Sequence, residues 1–170
     1  MKIHGMTVAP PEPVTIPIPR LDSEGREYFI ELRLAPVLDY TEFEEMCPPP
    51  KVPMKRDPQG VETPDLTPEY KKMVSDRLTL QVDYMVLKSL SATDGLVWDT
   101  VDMKDPATWG NFGKEMEEAG FSALEVTQIM NKITSISGMN PKNMEEARKR
   151  FLALKQAEKL SEQNSLQEEQ

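Results

Sequence analysis

The placement of proline constrains this chain more than any other feature. Ten of its fifteen prolines precede residue 55, six of the fifteen fall within residues 47–66, and the run from Glu69 to Leu90 contains neither proline nor glycine. A proline removes one backbone donor and disfavours helix in the residue before it. The first third of the chain is therefore mostly extended and turn structure, and long helix is confined to the chain beyond residue 67. Hydrophobic residues make up 38% of the 170, a low share for a globular chain, so the core is modest and is expected between Tyr70 and Leu154. The class predicted is α+β, mainly α: an N-terminal β-hairpin, a proline-rich linker, then a bundle of about four helices with a disordered C-terminal tail.

The pattern supports this order segment by segment. Residues 1–13 read as a flexible leader ending in Pro10-Pro11-Glu12-Pro13. Val14, Ile16 and Ile18 then alternate with Thr15, Pro17 and Pro19, which is strand periodicity restricted to a sheet edge because Pro17 cannot donate to a ladder. Asp22-Ser23-Glu24-Gly25 is turn chemistry. After it Tyr28, Ile30, Leu32 and Leu34 alternate with Phe29, Glu31 and Arg33 as a half-buried strand. Two strands are marginal in water, so the hairpin needs a helix or a partner on its apolar face. Asp39 opens a short helix through Met46 that Cys47-Pro48-Pro49-Pro50 stops, completing a 14–46 unit, and residues 47–66 read as an extended linker.

A helical domain is expected over 67–160. Thr67 serves as N-cap, Pro68 takes the first helical position, and Glu69 favours the positive end of the dipole. The long helix beyond this cap carries Tyr70, Met73, Val74, Leu78, Tyr84, Met85, Leu87 and Leu90 as its apolar positions. Residues 91–104 connect it, past Trp98, to a second helix capped by Asp105, with Trp109, Phe112, Met116 and Ala119 on one stripe and Gly120 as the stop. Ser122 and Glu125 form a capping box, with Phe121 and Val126 placed for a hydrophobic staple. The third helix bears Val126, Ile129, Met130, Ile133 and Ile136 and ends at Gly138. Asn143 and Glu146 open a fourth, and residues 161–170 are too polar to pack.

Residue chemistry excludes more functions than it suggests. The net charge is −9, with 7 basic and 12 acidic groups in residues 1–66, 7 and 11 in 67–138, and 6 and 6 in 139–170. No segment has the positive charge that phosphate-backbone binding requires, so no nucleic-acid partner is expected. The start of the chain lacks a secretion signal, no apolar run approaches the ~20 residues that cross a bilayer, and Cys47 is the sole cysteine. These predict a cytoplasmic protein, neither secreted nor membrane-bound. His4 lies in the leader, without the positioned partner that acid–base work needs. Cys47 is flanked by Glu44 and Glu45, which oppose a thiolate. Asp94, Asp99, Asp102 and Asp105 lack the spacing and closing glutamate of a calcium loop. The glycines are scattered rather than gathered into a phosphate cradle. The chain is therefore expected to be no enzyme, with no catalytic residue, metal or cofactor. Its eleven methionines suit adaptable contact surfaces. The partner-binding candidates are Trp109, Phe112 and Met116 facing Ile129 and Ile133 across a groove, with Trp98, Phe121 and the hairpin residues Ile30 and Leu32. Each of the tryptophans is more often a core residue than a contact, and the hairpin, with an unprotected edge and an apolar face, is the better candidate.

One arrangement of motifs is distinctive. F-I-E-L-R-L (Phe29 to Leu34) precedes the proline-rich spacer, and T-P-E-Y (Thr67 to Tyr70) opens the long helix. W-D-T-V (Trp98 to Val101), D-P-A-T-W (Asp105 to Trp109), E-A-G-F-S-A-L-E (Glu118 to Glu125) and E-E-A-R-K-R-F-L (Glu145 to Leu152) come next in that order. Over residues 14–155 this resembles the tail assembly chaperones of long-tailed bacteriophages. The resemblance implies a viral protein of the host cytoplasm that binds the tape measure protein, keeps it soluble and recruits tail tube protein, in some members through a longer frameshifted form. A homo-oligomer is compatible with it. A structural tail or connector component and a host-directed adaptor are the rival functions.

Overall fold

The computed structural model describes residues 2–3, 6–7, 11–56 and 58–138. The chain divides into two units, Met1–Ile133 and Thr134–Gln170. The fourth helix expected from Asn143 and the polar tail from residue 161 lie outside the described residues, as does His4. The architecture is α+β, an N-terminal hairpin followed by helices. In the leader, β1 (Lys2–Ile3) pairs with β2 (Met6–Thr7) in a two-residue antiparallel ladder.

The principal hairpin joins β3 (Val14–Leu21) to β4 (Glu27–Leu34) in an antiparallel ladder that pairs Val14 with Leu34 and Leu21 with Glu27. Its turn forms because Asp22 Oδ1 accepts from Glu24 N (2.8 Å) and Arg26 N (2.9 Å), while Gly25 takes a φ of +78° that a side chain would resist. Ile18, Leu32 and Leu34 are buried, and Phe29, Glu31 and Arg33 face outward, as alternation requires. The strand reaches the helices through Ala35 N, which donates to Ser89 O at 3.1 Å.

α1 (Thr41–Met46) starts one residue later than an Asp39 cap implies. Asp39 Oδ1 instead accepts from Thr41 N and Oγ1 (2.9 and 2.7 Å), folding the approach to the helix, and Tyr40 occupies the N-cap position without its side chain capping the helix. The expected linker is in part a second hairpin: β5 (Met54–Arg56) pairs with β6 (Glu62–Pro64) through a turn at Pro58-Gln59-Gly60. Ion pairs from Arg56 to Glu62 (2.8 Å) and Lys55 to Asp65 (3.8 Å) support it, and nearly all its side chains are exposed. Arms of three residues with proline at their ends carry no readable alternation, which is why the pattern missed them.

α2 (Pro68–Leu90) begins as the cap residues require, with Thr67 Oγ1 accepting from Tyr70 N at 3.2 Å. Only its last two turns are spine: Tyr84, Met85, Val86, Leu87, Ser89 and Leu90 are buried, whereas Met73 and Leu78, expected inside, are exposed. Tyr70, Met73, Val74 and Leu78 share one stripe of the helix, but the buried residues of α2 all lie between Tyr84 and Leu90, so this earlier stretch of the stripe is left largely uncovered. The second expected helix is a 3₁₀ segment, Pro106–Asn111, continuing into α3 (Phe112–Glu118). Asp105 accepts from Ala107 N at 3.1 Å as its cap. Gly120, at φ +88°, ends α3. The capping box then opens α4 (Ala123–Ile136), with Glu125 Oε2 accepting from Ser122 N (2.8 Å) and Ser122 Oγ from Glu125 N (3.2 Å).

The core is aromatic where α1, α2 and the 3₁₀ segment meet. The Tyr84 ring lies 5.4 Å from Trp109 and 5.6 Å from Phe43, and Phe43 lies 6.3 Å from Trp109, within the range of favourable ring packing. Polar ties frame this cluster. Glu42 accepts from Tyr84 OH (2.9 Å) and Lys88 Nζ (2.6 Å), which hold its carboxyl below the usual range, Lys88 first. Arg77 stacks on Phe43, donates from Nε to Cys47 O at 2.8 Å and pairs with Glu44 at 2.6 Å.

Candidate apolar binding cavity

The sequence-predicted groove is closed. Trp109, Phe112, Met116, Ile129 and Ile133 are all buried, with Trp109 and Ile133 at 0% exposure. Trp109 is held there by its aromatic neighbours and by the bond from Nε1 to Asp102 O at 3.1 Å, which satisfies its only donor. Thus Trp109, Phe112, Ile129 and Ile133 are core residues with no face left for a partner.

Beside that core the protein keeps a half-open cavity of about 320 Å³. Four predicted residues come together on its walls: Leu32 from β4, Trp98 from the 91–105 connection, Met116 from α3, and Phe121 from the turn after α3. Ile30 sits half-buried on the same strand but does not reach it. Leu90, Leu96, Val97 and Ala119 complete the apolar lining, and Asp99, Glu115 and Glu118 supply its polar groups. The signal for these was Leu96-Val97-Trp98, three apolar residues in a loop directly after Gly95. Leu96 and Trp98 are half-buried, while Val97 is 80% exposed on the lip of the cavity.

Glu115 positions that loop. Its carboxylate accepts from Asp99 N (2.8 Å), Thr100 N (2.6 Å) and Thr100 Oγ1 (2.5 Å). Burial pushes the carboxyl up, and the bonds from Thr100 and the neighbouring amides outweigh it, so it stays ionised below the usual range. The other side of the cavity is fixed by Arg20, which pairs with Glu125 at 2.7 Å and lies over the Phe121 ring at 4.9 Å. The Arg20 bond and then those from Ser122 bring Glu125 down to about 2. Asp99 and Glu118 are left at the rim, Glu118 in an exposed pair with Lys114 at 3.5 Å, a contact worth little in water.

Nothing in this arrangement activates a nucleophile or a proton carrier. Burial pushes the Cys47 thiol up, with Arg77 only partly opposing it, away from the thiolate form. Among the described residues no three His, Cys, Asp or Glu side chains lie close enough to hold a metal ion, and no helix is long and apolar enough to cross a membrane. What the site can do is take an apolar group of side-chain size and place a cation beside its acidic rim. Comparison with protein-family models, curated proteins and solved structures finds no match for this chain.

Proposed function

We propose that this protein is a tail assembly chaperone of a long-tailed phage, a non-catalytic binder that keeps the tape measure protein soluble and assists tail tube assembly. The motif order over residues 14–155 motivates the identity, and the half-open cavity between Trp98 and Met116 is the observation that carries the binding role. A tape measure chain is long and helical with apolar stripes. A helix of that kind presents a large apolar side chain with Lys or Arg one turn away, matching an apolar floor under Asp99 and Glu118. The net charge of −9 would keep a decorated complex dispersed.

The test is co-expression of the full chain with the tape measure protein of the same phage. The wild-type chain yields a soluble complex. Ala119→Trp, which fills the cavity mouth from an exposed helix end, leaves the thermal transition in place and removes the complex. Equal recovery with wild type and the blocked variant overturns the cavity as the site. Recovery with neither overturns the chaperone reading.

A further inference from the structure

The two edges of the β3–β4 hairpin are chemically unlike. The ladder pairs Thr15 with Arg33, Pro17 with Glu31, Pro19 with Phe29 and Leu21 with Glu27. Arg33 N donates to Thr93 Oγ1 (2.9 Å), and the same hydroxyl donates to Arg33 O (3.0 Å). The main-chain groups of Arg33 therefore point away from β3, and in an antiparallel ladder every second pair shares that orientation. The bond from Asp22 N to Arg26 O (3.0 Å) at the turn is in phase with this assignment.

On β3 the outward positions are thus Thr15, Pro17, Pro19 and Leu21. Two of these have no N–H, so that edge cannot accept a further strand. On β4 the outward positions are Glu27, Phe29, Glu31 and Arg33. Thr93 closes Arg33, and Ser89 O takes the next outward donor, Ala35 N. No described residue takes the main-chain groups of Glu27, Phe29 or Glu31. One edge is interrupted by two prolines at its centre, and among the described residues the other is left open over five residues, the usual length of a short strand.

Side chains define what fits there. Glu27 and Glu31 flank Phe29 on the outer face, with Phe29 54% exposed, while Tyr28 and Ile30 lie on the other face. A second copy is a poor occupant. The antiparallel self-pairing that uses all three open positions sets Glu27 against Glu31 of the other copy twice, and like charges directly opposite destabilise a sheet. Shifting the register by two residues pairs only two of the three open positions, the third then falling opposite Gly25 of the turn or Arg33, which Thr93 has closed. The same two carboxylates favour a cationic strand.

We propose that the β4 edge at Glu27–Glu31 receives an extended segment of another protein as a third strand. That segment carries Lys or Arg four residues apart, opposite Glu27 and Glu31, and apolar side chains at the two positions opposite Tyr28 and Ile30. Main-chain bonds supply the attachment and the two carboxylates the choice of sequence. The site is separate from the cavity and holds whether or not the tape measure protein is the cavity's occupant.

The experiment uses the full chain and a fluorescein-labelled peptide of about nine residues centred on Lys-Val-Thr-Val-Lys, with a control in which Glu replaces Lys. Binding is read by anisotropy, and amide hydrogen exchange is measured with and without peptide. The lysine peptide binds and slows exchange at Phe29 and Glu31, with Ile30, already in the ladder, unchanged. The Glu control and the Glu27→Lys, Glu31→Lys double variant each bind at least about tenfold more weakly. Phe29→Pro removes an outward donor without breaking the β3–β4 ladder, as Pro19 does opposite it, and also lowers affinity. Exchange unchanged at Phe29 and Glu31, or affinity indifferent to the charge reversal, overturns the proposal. Protection of those amides without peptide in a concentration-dependent dimer also overturns it, in favour of a second copy.

Discussion

Ser89 should be replaceable with profit. It lies on the last turn of α2, is 0% exposed, and its hydroxyl is buried without a hydrogen-bond partner among the described residues. Its carbonyl accepts from Ala35 N and Ala92 N, bonds that an alanine at this position keeps. A buried hydroxyl stripped of water and left unpaired costs about 1–3 kcal/mol. Alanine removes that cost and adds up to roughly 0.5 kcal/mol of helix propensity. Against this stands the packing of one oxygen atom, a small loss because Cβ stays in place. The net expectation for Ser89→Ala is a gain of about 1–2 kcal/mol. For a chain of this size that raises Tm by about 3–6 °C, and in urea it moves the midpoint upward at constant slope. Differential scanning calorimetry and urea unfolding of both proteins decide it. A variant with equal or lower stability would refute the reasoning, because the hydroxyl must then have a partner or the α2–β4 contact must be packed differently.

The geometry carries three further outcomes. Trp109→Ala should cost about 3–5 kcal/mol, since the ring is fully buried among Phe43 and Tyr84, and urea unfolding measures it; a loss under about 1 kcal/mol would place Trp109 outside the core. Glu125 titrates at a depressed value in the folded protein, so its contribution is present above the ordinary carboxylate range near 4.5 and is lost as pH falls toward about 2. Thermal scans over that window should show a shallower acid slope for Glu125→Gln than for wild type, and parallel slopes would contradict the Arg20–Glu125 pairing. Glu115→Gln keeps one acceptor oxygen of two, so it should cost about 1 kcal/mol and speed amide exchange at Asp99 and Thr100; unchanged exchange there would mean Glu115 does not hold the Trp98 loop.

Local signals in the sequence were reliable where one residue satisfies one backbone group. Thr67, Asp105, the Ser122–Glu125 box and Gly120 all act at the helix ends their chemistry specifies, because a cap depends on neighbours within four residues. The β3–β4 alternation was legible because one face meets the core at Ile18, Leu32 and Leu34, although Tyr28 on the same face is 47% exposed where the pattern placed it half-buried. Signals failed where the outcome depends on what lies across the fold. Met73 and Leu78 read as core on a long helix, but the buried residues of that helix all lie in its last two turns. Trp109 and Met116 read more readily as core than as contact surface, though a groove with Phe112, Ile129 and Ile133 was also open to them; all five are buried, Trp109 against Tyr84 and Phe43, and Met116 also reaches the cavity wall. The cavity itself is formed by residues from β4, α2, the Trp98 loop and α3, far apart in sequence. Only the unsupported Leu96-Val97-Trp98 run pointed to it.

The binding role is tested most directly by placing a photoreactive benzophenone side chain at Val97, on the exposed lip of the cavity, in cells that also make the tape measure protein. Irradiation and then peptide mass spectrometry should yield a crosslink to a helical tape measure segment in which a large apolar residue lies one turn from Lys or Arg. Crosslinks confined to this chain, while the same tape measure protein is present and soluble, would contradict the account.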